Sequence, residues 1–227
     1  MKKSTLAVMS LTTIGLCLAP TLQAEQNRFY LNADVGGTSA RDVELRDFFG
    51  QNIAPNSTIS LDPGIRVAVR AGYGLTDWLA AELETGISAN NIDRITGALE
   101  ANGSIANVPV LLNLRLHVPT QNRFAPYVGA GFGVASTVLD GDDIVLTTPP
   151  GSTRYSGTST DAVFAYQAFA GVRFAINDRM GLSVEYHFLH TEESSLSADL
   201  TVGPVTDRVR LGRTQTHSVS VAFDFQF

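Results

Sequence analysis

Nine charged residues recur in one alternating phase of otherwise apolar or small stretches: Asp34, Arg66, Arg70, Glu82, Glu84, Arg115, Arg173, Glu185 and Asp224. His117 and His187 fall in the same phase. Carboxylates facing guanidiniums make ion pairs, and the planar arginine fork can hold two carboxylates at once. Four arginines against five carboxylates is close to balance, as an enclosed network requires, because unpaired buried charge is very costly. The alternative use of such a set is a gate or a narrow ion path. Two other groups invite chemistry. In "FLHTEESSL", His190 could act as a base, but Glu192 stands at the next position on its face and Ser194 one step further, so the nucleophile is misplaced. Asp140, Asp142 and Asp143 offer carboxylates to a divalent cation but lack the further ligands of a calcium loop. No catalytic set, metal site or cofactor is expected.

These residues must be positioned by strands, because the surrounding pattern is strict alternation. It appears in "RFYLNADVGG", "GIRVAVRAGYGL", "WLAAELETGIS", "NVPVLLNLRLHV", "FAPYVGAGFGVAS", "AVFAYQAFAGVRFAI", "MGLSVEYHFLH" and the terminal "SVSVAFDFQF". Eight such segments without a convincing helix predict an all-β chain. Short polar turns ("TD", "PTQNR", "NDR") alternate with long connections ("SARDVELRDFFGQNIAPNSTISLDP", "ANNIDRITGALEANGSIA", "LDGDDIVLTTPPGSTRYSGTSTD", "TEESSLSADLTVGPVTDRVRLGRT"). That order predicts an eight-stranded antiparallel up-and-down transmembrane barrel, with short periplasmic turns and long extracellular loops.

The alternation leaves open which face is wet. A soluble barrel of the same size would put the apolar face inside. Here one face carries Phe, Leu, Val, Ile and Tyr almost throughout, which is too bulky for the interior of eight strands. The other carries Ala68, Gly72, Gly74, Gly86, Gly129, Gly131, Gly133, Gly171 and Ser220. The bulky face therefore points to lipid and the charged, small face inward. Tyr73, Trp78, Phe124, Phe174, Phe225 and Phe227 cluster near the short-turn rim, as an interfacial aromatic girdle would.

The ends and the charge agree with export. Residues 1–24 have a basic start (Lys2, Lys3), an apolar stretch and a small residue at Ala24, the pattern of a cleaved secretory signal. The mature domain is then 25–227. Lys2 and Lys3 belong to the signal, so 14 basic residues, all arginine, face 22 acidic ones, a net charge of −8. An acidic exported chain is a poor partner for nucleic acid. The single cysteine, Cys17, also lies in the signal, so no disulfide or thiol chemistry is expected of the mature chain.

"NVPVLLNLRLHVPT" with "APYVGAGFGVA", "GYGLTDWLAAELETGI" and "FAYQAFAGVRFAINDRMGLSVEYHFL" resemble passages of small outer-membrane β-barrel proteins of the opacity/OmpA-like group. The resemblance covers nearly the whole mature chain. It implies a Gram-negative outer membrane, outer-membrane lipid and lipopolysaccharide as surroundings, and periplasmic chaperones as escorts. It also implies that the barrel assembly machinery reads the terminal strand through Val219, Val221, Phe223, Phe225 and Phe227. The group includes adhesins, surface antigens and small channels, so fold does not fix function. The expectation is a non-enzymatic surface protein, structural, adhesive or antigenic, meeting a host or envelope ligand at its loops. A narrow pore or small-molecule transport barrel (OmpA- or OmpW-like) is the alternative. A lipid A-modifying enzyme is a third reading, weakened by the misplaced serine near His190.

Overall fold

The computed structural model describes residues 29–48, 50, 53, 56–118, 122–148, 151–197 and 208–227. The signal segment 1–24 lies outside them. Twelve strands follow in order: β1 (Phe29–Ala40), β2 (Val43–Phe48), β3 (Thr58–Leu61), β4 (Gly64–Gly74), β5 (Leu79–Ile95), β6 (Ala98–His117), β7 (Phe124–Thr148), β8 (Gly151–Ala175), β9 (Met180–Thr191), β10 (Ser194–Ser197), β11 (Arg208–Leu211) and β12 (Thr214–Gln226).

Antiparallel pairing runs β1–β4–β5–β6–β7–β8–β9–β12 and returns to β1, a closed ring of eight. Closure leaves no free edge, so every ladder amide can be satisfied without water. The short turns are built by side chains. Thr76 Oγ1 accepts from the amides of Trp78 and Leu79, and Asn177 Oδ1 from those of Arg179 and Met180.

Facing follows the alternation. Val35, Val67, Val184, Val221, Leu83, Leu112 and Phe132 are exposed on the outer wall. Asn32, Asp34, Arg66, Arg70, Glu82 and Glu84 are buried in the lumen. A soluble fold would not expose such a band; a bilayer solvates it.

The long connections differ from the loops expected above, because their described residues are largely strand. β5, β6, β7 and β8 run on past the apolar band, and β2, β3, β10 and β11 complete a second ring through β3–β5, β2–β3, β11–β2, β10–β11 and β10–β8. Four ribbons (β1 into β2, β3 into β4, β9 into β10, β11 into β12) are thus interrupted by two residues each: Arg41-Asp42, Asp62-Pro63, Glu192-Glu193 and Gly212-Arg213. Each joint shifts the phase of alternation by one. Even-numbered residues of β1 point inward, but Val43 and Leu45 of β2 are the buried ones; Arg66 and Arg70 are buried in β4, but Ile59 in β3. Glu185 and His187 are buried in β9, but Ser194 and Leu196 in β10; Ser218 and Ser220 in β12, but Val209 and Leu211 in β11.

The physical reason is the change of solvent. Beside lipid, the apolar face must point out; above the membrane, the outer face meets water and the apolar side must point in. A one-residue slip swaps the faces. The result is a second core of Val43, Leu45, Phe48, Ile59, Ile105, Leu139, Ile144, Tyr155, Leu196, Val209 and Leu211, each at most 3% exposed.

Candidate functional site: the charged lumen

The nine charges named from sequence converge inside the membrane-spanning part. Arg66 donates from Nε to Asp34 Oδ1 at 3.0 Å and from Nη2 to Glu84 Oε1 at 2.5 Å. The other Glu84 oxygen accepts from Asn113 Nδ2 at 2.9 Å and Gln167 Nε2 at 2.6 Å. Arg70, completely buried, is bonded to Glu185 and to Asn32 Oδ1 at 2.7 Å, with Asp34 at 3.6 Å and Glu82 at 3.9 Å. Glu82 Oε1 accepts from the Tyr30 hydroxyl at 2.6 Å and from Arg115 Nη1 at 3.3 Å. Asp224 accepts from Asn32 Nδ2 at 3.0 Å and Ser183 Oγ at 2.6 Å, with Arg115 at 3.7 Å and Arg173 at 3.9 Å. Glu185 also accepts from the Tyr127 hydroxyl and lies 2.8 Å from His187 Nε2.

The backbone register sets these meetings. Arg70 is directly opposite Glu84 and Asn32, and Asp34 opposite Ala68, between Arg66 and Arg70. Neighbouring strands therefore deliver one or two polar side chains each to the same level. Arg173 sits nearest the short-turn rim and is partly open, with 20% of its side chain exposed. His117 is at the short-turn rim.

Sequence reasoning named the charges but not the aromatic residues that pack among them. Phe169, buried, lies under the Arg70 guanidinium, 5.5 Å from ring centre to Cζ, and stacks on His187. Arg115 lies 3.7 Å above the Tyr127 ring. Each ring covers a glycine directly across the ladder: Tyr30 over Gly72, Phe169 over Gly129, Tyr127 over Gly171. A Cβ on Gly72 would lie 2.2 Å from Tyr30 Cζ, so the small residues make room for rings as well as for charges. The available signal was the phase: Tyr30, Tyr127 and Phe169 all sit in inward positions. An apolar layer, Leu111, Ala135, Ala165 and Leu189, also lies inside and went unread for the same reason.

Asp34, Glu185 and His187 bring three ligand-type atoms within 4.8 Å of one another. The Arg70 guanidinium already lies against both carboxylates, so this set is built around a fixed cation rather than a metal. At the surface, both Asp143 oxygens are taken by Arg154 at 2.7 and 2.6 Å, and Asp140 accepts from Thr158 at 2.9 Å. The acidic run is thus split among protein partners.

His190 holds an outward position but is only 6% exposed, because the Tyr166 ring directly opposite stacks on it at 4.7 Å. Its Nε2 is 3.8 Å from Glu192. The aromatic residues near the turns lie on the outer wall: Phe29 packs on Tyr73 at 4.7 Å, Phe124 on Phe174 at 5.1 Å, and Trp78 is 51% exposed. Val219, Val221 and Phe223 are exposed along β12, and Phe227 just beyond it is exposed as well, with Phe225 packed on it at 5.3 Å. A second outward set, missed in the sequence, sits near the joints: Tyr166 with His190, and Tyr186 and Phe188 around His217.

A closed ring with an apolar outer wall, aromatic residues near its rim and a charge-filled lumen defines a membrane-spanning β-barrel of the outer-membrane kind. Residues 9–227 match the outer membrane protein beta-barrel domain, and the chain belongs to that family. The fold is similar to that of neisserial surface protein A, at 15% identity over 90% of this chain and 100% of that one, with a TM-score of 0.54. It is also similar to the outer membrane protein OprG of Pseudomonas aeruginosa (14%, 91% and 100%, 0.55). The outer membrane protease OmpT of Escherichia coli is a third likeness (10%, 91% and 99%, 0.50). At these identities the likeness concerns the fold alone. No curated protein matches the chain.

Proposed function

We propose that the protein is a non-enzymatic outer-membrane surface protein, in which the membrane barrel is a closed anchor and the extracellular β-extension is the working part. The observation that carries this reading is the pairing of a lumen filled by bonded charges with an extension that has its own apolar core. A rigid platform above the membrane is what structural, adhesive or antigenic contact requires. Lipid and lipopolysaccharide surround the outer wall. In the same reading, periplasmic chaperones deliver the chain and the assembly machinery engages β12 through its outward Val219, Val221, Phe223, Phe225 and Phe227.

The test pairs two measurements on protein held in lipid. Binding to host or envelope components is compared between the intact chain and one in which residues 41–62 are replaced by a short linker. Planar-bilayer conductance is the control. The reading expects binding that depends on the extension and no steady conductance.

Transport is the second reading. It draws support from the lumen's excess of one carboxylate and from polar atoms without hydrogen-bond partners, Asp34 Oδ2, Arg70 Nε and Glu82 Oε2 among them. A conductance step that shifts when Arg115 or Glu84 is neutralised would favour it. A lipid-modifying activity fits less well, because His190 is covered by Tyr166 and its Nδ1 has no hydrogen-bond partner. Altered lipid A mass that reverts in His190→Ala would overturn the non-enzymatic reading.

A further inference from the structure

The short-turn end of the barrel holds a half-open vestibule of about 700 Å³. Its mouth lies between the turns that carry Asp77 and Asp178, and its floor is the underside of the charge network, with Arg115, Arg173 and Asp224. Tyr30, Tyr127, Ala80 and Ala125 form apolar and aromatic walls. The volume falls in the usual range for small-molecule pockets.

The floor has donors to spare. Arg115 is 5% exposed, yet among the described residues its one hydrogen bond runs from Nη1 to Glu82 at 3.3 Å. Asp224, at 3.7 Å, stands beyond hydrogen-bond reach. A guanidinium has five N–H donors, so most of those on Arg115 are uncommitted. Arg173 repeats the pattern: 20% of its side chain is exposed, and its Nε stands 3.9 Å from Asp224. Asp224 is itself occupied by Asn32 and Ser183. Two arginines thus share a carboxylate that hydrogen-bonds to neither.

We infer that this vestibule binds a small monoanionic carboxylate with an aromatic or short aliphatic body, its carboxylate held by Arg115 and Arg173. A planar carboxylate matches the guanidinium fork with two parallel hydrogen bonds, which a lone neutral hydroxyl does not supply. The Tyr30 ring and Ala125, both partly exposed, give the body an apolar surface. Asp77, Asp178 and Asp224 repel further negative charge, so phosphate monoesters and nucleotides are disfavoured. The site opens on the side opposite the extension and is independent of the surface role proposed above.

The test uses the full-length barrel in detergent micelles, followed by amide NMR during titration with benzoate; benzyl alcohol and inorganic phosphate are the comparison probes. Saturable benzoate shifts are expected at Gly74, Ala80 and Ala125, with both comparison probes at least about tenfold weaker. Arg173→Gln should weaken benzoate about tenfold, corresponding to the loss of one charged hydrogen-bonding partner. Ala125→Phe fills the cavity without touching the charges and should abolish the shifts, so the outcome does not depend on the folding of an arginine variant. An absence of saturable shifts, binding of benzyl alcohol or phosphate as tight as benzoate, or unchanged benzoate affinity in Ala125→Phe would each overturn the inference.

Discussion

Arg70 illustrates how much one lumen residue has to do. It has no exposure, and its partners Glu185, Asp34 and Glu82 have almost none. Removing it strands several carboxylates in a space from which water is largely excluded. Loss of one partner from a buried pair typically costs about 3–5 kcal/mol. Arg70→Leu should therefore lower the unfolding free energy read from a urea titration of the folded barrel by that amount, or remove the heat-modifiable folded band on a gel. An unchanged midpoint would mean that the network contributes little to stability. Gly72 tests the rings. The added Cβ of Gly72→Ala meets Tyr30 at 2.2 Å and pushes its hydroxyl from Glu82. An overpacking cost of about 1–3 kcal/mol is expected in the same urea titration. All nine lumen charges were legible from their phase in the sequence, since charge in an alternating apolar strand has one tenable side. Phe169 and Leu111 were not legible, because an apolar residue in the inward phase looks like noise until the facing strand presents a glycine or a gap.

At the scale of elements, the joints decide what could be read. "VELRDF" alternates as plainly as any barrel strand, but its phase is opposite to that of β1 two residues earlier. A pattern extended from β1 therefore fails at Arg41-Asp42, and the segment looks like loop. The same break occurs at Asp62-Pro63, Glu192-Glu193 and Gly212-Arg213, and the resulting strands β3, β10 and β11 have only four residues each. The extension has a thin seam: β10 meets β8 in the single pair Ser197–Thr160, helped by the Ser195 amide donating to Asp161 at 2.7 Å. Its integrity must come from the apolar core. Phe48, 1% exposed and edge-on to Tyr155 at 6.4 Å, is central. Phe48→Ala should cost about 3–5 kcal/mol, confined to the extension. Trypsin should then cut at Arg46, Arg208 and Arg210 while the membrane barrel stays folded; loss of the whole barrel would show that the two parts are one cooperative unit. Tyr155 adds a pH dependence. Burial raises its pKa above the ordinary value, and its hydroxyl pairs with Ser159 at 2.8 Å. The folded form holds the proton more tightly than the unfolded chain does. That contribution is complete below the ordinary tyrosine pKa and is lost as pH rises through the folded value. Protease sensitivity of the extension should therefore rise under alkaline conditions, and less so in Tyr155→Phe.

The molecule as a whole is organised by two solvents meeting one chain. Along the membrane band the outer wall carries a continuous cross-strand row: Ile87 opposite Val67, Val67 opposite Val35, Val35 opposite Val221, Val221 opposite Val184 and Val184 opposite Val172. Above the joints the outer wall of β2 and β11 carries Glu44, Arg46, Arg208 and Arg210 instead, all exposed. An introduced arginine must then have very different costs at the two levels. Val221→Arg places a charge in the row that faces hydrocarbon, where arginine costs about 2–4 kcal/mol. Glu44→Arg changes a charge at a surface already in water and should shift stability by only a few tenths of a kcal/mol. Both are read by refolding into lipid bilayers over a urea series. The ratio of the two effects measures how deep each position lies. If Val221→Arg proved as mild as Glu44→Arg, the row would not face lipid, and the assignment of the apolar wall to the outside of the membrane barrel would fall with it.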